Sequence, residues 1–275
     1  MSAGTVERTS PRGADEVGLS FGRILRSEWI KFRSLRSTWI TYAVALLVAD
    51  GLGVLISGLR GNDIHQHGER IGFDPVAFSL HGIMLAQLAI GVVGVLYVTG
   101  EYATGSIRAT MTAVPRRAPV VVAKALVFGA VSLVIAVVMC LVAFLAGQAI
   151  LSSWGLGVSL SHAGALRAVL GAAWYVTVVG LMGLGFGFAV RSTGGAIATL
   201  FGVVLVLPLI VEALPTSWQD HISKYLPLPI ASSLTSTVSD PGSTSLSTPW
   251  GIILLGVYAV VVLAIGLVVL KRRDV

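Results

Sequence analysis

The sequence predicts an all-α integral membrane protein: six transmembrane helices, preceded by an amphipathic helix in the membrane plane, with a short charged helix below the membrane between spans two and three. Three observations lead there. Hydrophobic residues make up 55% of the 275 and charged residues only 12%, about half the charged share of a soluble domain. The apolar residues fall in six long runs, and mean hydropathy is +0.87. The 19 Lys and Arg cluster at alternate ends of those runs.

Residues 1–17 are poor in large apolar side chains and rich in Gly, Ser, Pro and charge, which predicts a flexible cytoplasmic tail. The charge ahead of the first apolar run is not that of a signal peptide. Within 18–38, Phe21, Ile24, Leu25, Trp29, Phe32 and Leu35 share one face of a helical wheel, and Arg23, Arg26 and Arg33 lie off it. That pattern suits a helix lying in the cytoplasmic interface. Glu28 falls inside the apolar face. Its carboxylate pairs either with Lys31 one turn on or with a basic group of another segment.

A span needs roughly 20 apolar residues at ~1.5 Å rise per residue. Spans are expected at about 39–58, 76–99, 120–151, 166–190, 196–214 and 250–270. Fifteen Lys and Arg fall on one side: seven before the first span, four within 101–124, Arg191, and three in the tail. Arg60, Arg70, Arg167 and Lys224 fall on the other. Both termini are therefore expected in the cytoplasm. The basic balance follows the membrane ends and shows no nucleic-acid recognition module.

The external connection at 59–75 carries His65, His67, Asp63, Glu69 and Asp74, but their spacing matches no established metal-ligand motif, and no metal site is expected. Residues 215–249 are expected to hold a short external helix. Lone Cys140 excludes an intrachain disulfide. GxxxxGK[ST], HExxH and GxSxG are all missing, so no catalytic residues are assigned.

Polar residues inside spans need protein or water around them. Asp50 and Gln87 are the candidate pathway residues. Gln87, like His81, Gln148 and Glu212, is equally open to interhelical hydrogen bonding, which leaves Asp50 the leading single candidate. Small-residue stripes run along span two, with Gly91 and Gly94, and span four, with Gly180, Gly183, Gly185 and Gly187. They predict close packing inside one subunit or a dimer seam.

The segment between spans two and three, "EYATGSIRATMTAVPRRAPVVVAK" (101–124), is too long for a hairpin turn. It is expected to form a short rigid helix carrying Glu101 in its first turn and Arg108 later, ended by Pro115. Pro119 then opens the next span, with Arg116, Arg117 and Lys124 at headgroup level. Such an element suits transmission of movement from a soluble partner.

"SEWIKFRSLRSTW" (27–39), "GEYATGSIRATMTAVPRR" (100–117), "AKAL" (123–126) and "YLPLPIASSL" (225–234) together resemble the six-span permease subunits of ABC-2 type ATP-binding-cassette exporters, in the actinobacterial style. The likeness runs from about residue 20 to near the end, and Glu-Tyr-x-x-Gly-(Ser/Thr)-x-Arg is its most specific part. The resemblance implies that the helix between spans two and three is a coupling helix docking on an ATPase subunit, with Glu101, Tyr102, Gly105, Ser106 and Arg108 as contacts and the turn at Arg191 as a second, smaller one. It also implies a plasma-membrane location, a second permease subunit, and no cofactor bound directly, since ATP and Mg belong to the partner ATPase. It does not reach the cargo. A self-contained secondary transporter using Asp50 is the alternative.

Overall fold

The computed structural model describes residues 20–68, 73–114, 116–238 and 246–272. The tail expected at 1–17 and Pro115 lie outside them. All regular structure among the described residues is helical, and six helical runs are long and apolar enough to cross a membrane.

Helix α1, Phe21–Ser34, stops at Leu35, whose extended backbone separates it from α2, Arg36–His67. Only Ile24, Glu28 and Phe32 of α1 face inward, one turn apart. Phe21, Trp29, Ile30 and Leu35 remain exposed. Helix α2 runs well past the expected end of span one, to Gly68, which closes it in the left-handed conformation. The polar residues expected in a loop are therefore helical through His67. No proline precedes Gly68 in this run, and Arg60 pairs with Asp63 one turn on at 2.6 Å, which supports the extra turns.

Span two is interrupted at its start. Helix α3, Pro75–Ser79, is one short piece, and α4, Ile83–Ala103, begins after a turn. Asp74 caps α3, taking the N–H groups of Val76 and Ala77 at 3.0 Å each, with Pro75 at the first helical position. The same carboxylate accepts from the Thr237 hydroxyl at 2.9 Å and the Val238 N–H at 3.1 Å. Burial pushes this carboxyl up, but the N–H groups of Ala77, Thr237 and Val238 and the Thr237 hydroxyl hold it below its ordinary value.

Helix α5, Ser106–Ala113, hangs between α4 and α6, Arg117–Ser152. Helix α7, Ala165–Val190, leads through only Arg191 and Ser192 into α8, Thr193–Phe201. Gly202–Val206 winds as a π-turn before α9, Leu207–Glu212. Pro208 has no N–H for the Val204 carbonyl and its ring crowds that oxygen, which the wider turn relieves. Helices α10, Thr216–Ile222, and α11, Pro227–Thr235, lie between the last two spans, and α12, Thr248–Arg272, follows them.

Helix α7 is the centre of the bundle, packed by α4, α6, α8, α11 and α12. Its glycines make this possible. A Cβ on Gly94 would collide with the Gly180 carbonyl oxygen, and one on Gly183 with that of Gly91. A Cβ on Gly266 would stand 2.7 Å from the Gly185 carbonyl oxygen. The stripes of spans two and four thus face each other inside one subunit.

Candidate functional site

Glu28 and Lys31 of 18–38 and Glu101 and Lys124 of 101–124 converge where α1, α4, α5 and α6 meet. Lys124, in the first turns of α6, is fully buried. Its ammonium lies 2.6 Å from Glu28 Oε2 and 3.0 Å from Glu101 Oε1, and 4.0 Å from the centre of the Tyr97 ring. Lys31 lies 2.9 Å from Glu28 Oε1 and 3.2 Å from Glu101 Oε1, and donates to Thr110 Oγ1 of α5 at 3.0 Å. Tyr97 donates to Glu28 Oε2 at 3.2 Å. Two carboxylates and two ammonium groups neutralise one another, which is the condition for holding charges in a dry site.

Burial pushes the Glu28 carboxyl up, but the Lys124 charge and the hydrogen bonds of Lys124 and Lys31 prevail and hold it below its ordinary value. Burial likewise pulls Lys31 down, and its contacts with Glu28 and Glu101 raise it overall. Below this polar knot Phe32 stands edge-on to Tyr97 at 5.1 Å and to Phe128 at 6.2 Å. The knot and the aromatic cluster fasten α1 to the ends of α4 and α6.

Glu28 therefore takes both partners considered for it, Lys31 and a base from another segment. Lys124 departs from its expected headgroup position: it points inward because two carboxylates await it. Its signal was available, since it is the sole charged residue between Arg117 and the end of α6, and an ionisable group inside an apolar run asks for a partner. Tyr97 left no such signal. Glu101 lies in the last turn of α4, not in the first turn of the short helix, because the chain breaks at Thr104 and Gly105.

Gly105 adopts φ 72° and caps α5, with Ser106 opening it. Gly105, Ser106 and Arg108 are exposed, whereas Ile107 is buried and anchors the helix. Glu101 turns inward with its side chain only 13% exposed. Tyr102 is half-buried, and the Arg191 guanidinium lies 5.5 Å from its ring centre. Arg191 is the one non-glycine residue of positive φ among those described, at 61°, and Thr193 donates to Thr99 at 2.9 Å. The α7–α8 turn and the α4–α5 turn are thus neighbours at one end of the bundle.

The pathway candidates lie elsewhere. Gln87 is fully buried, donating to the Met84 carbonyl at 2.9 Å and accepting from the Tyr175 hydroxyl. Asp50 is half-buried on α2, with Oδ1 enclosed and without a hydrogen-bond partner.

A comparison with models of protein families matches residues 23–275 to one described as ABC-2 family transporter protein. No curated protein matches the sequence.

Proposed function

The chain belongs to the ABC-2 family of transporters, and from that premise we propose that it is the permease subunit of an ATP-driven exporter. It forms the substrate pathway, crosses the cell membrane six times with both termini in the cytoplasm, and works with a separate ATPase and a second permease subunit. It has no hydrolytic activity of its own.

The observation that supports this best is the construction around α5. This short helix exposes Gly105, Ser106 and Arg108, yet its base is tied through Thr110 and Lys31 to Glu28, Glu101 and Lys124. A push on the exposed face reaches α1, α4 and α6 together, because the charge knot resists separation of its members. Arg108 with Gly105 and Ser106 forms the docking face, and Tyr102 with Arg191 its second edge. Glu101 and Glu28 position that face from behind. Helix α1, with Trp29 and Ile30 outward, lies against lipid headgroups.

Affinity purification of the full chain from its native membrane in mild detergent tests the reading. An ATP-binding-cassette ATPase is expected in stoichiometric amount, and its reproducible absence from intact protein would overturn the proposal. One observation favours a second reading, an autonomous transporter with an intramembrane carboxylate: the enclosed, unpartnered oxygen of Asp50. Asp50→Asn should then abolish transport at unchanged folded yield, whereas full activity in the variant removes that reading.

A further inference from the structure

At the end of the bundle opposite α5 lies a cavity of about 440 Å³, between the start of α4, α7, α9 and α11. Its volume is in the range of small-molecule sites, roughly 300–1,000 Å³. Leu80, Met84, Pro208 and Leu228 contribute to its mainly apolar walls. The polar side chains in the lining are His81, Tyr175, Glu212, Ser232, Thr235 and Ser236.

The hydrogen-bond roles of those six decide what fits. Ser232 donates to the Pro229 carbonyl at 2.8 Å and Thr235 to that of Ala231 at 3.1 Å. Ser236 donates its one proton to Asp74 at 3.2 Å or to the Val238 carbonyl at 2.9 Å. Tyr175 gives its proton to Gln87. His81 Nδ1 sits 3.0 Å from the Ala77 carbonyl, which only accepts, so the neutral ring keeps Nε2 as an acceptor. Glu212 is a carboxylate for which no side-chain hydrogen bond or ion pair is formed with the described residues, and among the described lining residues it carries the only formal charge while His81 is neutral. Every proton is committed elsewhere. What the cavity offers a guest is an apolar wall, lone pairs, and one negative charge at its exposed edge, where Glu212 and His81 stand.

We propose that this cavity binds an apolar amine in its protonated form, the ammonium donating to Glu212 and the hydrocarbon body lying against Leu80, Met84 and Leu228. An acceptor-only lining rejects carboxylates, because their oxygens would face other oxygens with no proton between them. The inference rests on the permease reading for its meaning, as a site for cargo or a ligand that regulates export, but binding itself needs no ATPase.

The test uses the full chain purified without its ATPase in lipid nanodiscs, titrated calorimetrically at pH 8 with 1-adamantylamine and with 1-adamantanecarboxylate, which share one apolar body. Saturable binding of the amine alone is expected, weakened about tenfold or more by Glu212→Gln and abolished by Leu228→Trp, which fills the cavity. No binding of the amine, equal binding of the carboxylate, or unchanged affinity in either folded variant overturns the inference. A chain that retains its ATPase but ignores the amine loses this inference only. One that binds the amine but never recovers an ATPase loses the permease reading instead.

Discussion

Lys124 is a fully buried lysine, and its two carboxylate partners determine what its removal does. Lys124→Met leaves Glu28 and Glu101 sharing Lys31, and breaking a buried pair in this way costs about 3–5 kcal/mol. The variant should lose thermal stability in detergent, and Glu28→Gln in the same chain should restore part of the loss by removing the orphaned charge. Additive losses in the double variant would show that the pair is not coupled. The pH dependence follows from the shifts of Glu28 and Lys31. Glu28 is lowered, so its contribution is fully present above the ordinary 4.5 and is lost as pH falls through its lower folded value. Lys31 is raised, so its contribution is fully present below the ordinary 10.5 and is lost as pH rises through its higher folded value. Protection of α1 amides from hydrogen exchange, corrected for intrinsic rates, should therefore be flat between about pH 5 and pH 10. A step within that window would contradict the pairing.

Helix α5 has only eight residues, fewer than an isolated helix needs in water. Its existence depends on Ile107 buried beneath it, on Thr110 held by Lys31, and on Gly105. At φ 72° Gly105 takes a conformation that a β-branched residue reaches at a cost of about 1–2 kcal/mol. Gly105→Val should loosen the start of α5 and reduce recovery of the ATPase, while membrane insertion is unchanged. Arg108→Glu keeps the helix and inverts the charge of its exposed face, so it should reduce ATPase recovery at full stability. Normal recovery with Arg108→Glu would remove Arg108 from the docking face. The elements also show how local chemistry displaces expected boundaries. Span two was legible as an apolar run, but its break after Ser79 was not, because that break serves packing: a Cβ on Gly82 would collide with the Ala49 carbonyl of α2.

At the scale of the molecule, glycine seams let α4 and α12 close onto α7, which leaves the outer sides of α2, α9 and α12 apolar and exposed, as at Leu47, Leu209 and Val260. Lipid and a second permease subunit are the proposed cover. Gly94→Leu would force α4 away from the Gly180 carbonyl, and overpacking of this kind costs about 1–3 kcal/mol or more. The yield of folded monomer should fall, measured by size-exclusion chromatography in detergent. A variant that folds normally and loses only self-association would instead place the seam between subunits.

The sequence by itself determined the membrane class, the six spans and the family, because apolar run length, the placement of Lys and Arg, and the 100–117 motif are all properties of residues near one another in the chain. Glu28 was legible as an anomaly for the same reason: one acid on one apolar face. Only the tertiary structure decided that Glu28, Lys31, Tyr97, Glu101 and Lys124 form one knot, that Glu101 supports α5 from behind, and that Glu212 shares a cavity with His81. Except for Glu28 with Lys31, those pairings join residues tens of positions apart. Which of several possible partners a buried charge finds is settled by how helices approach, and that approach is set by close contacts such as Gly94 on Gly180, which exist only once the bundle has closed.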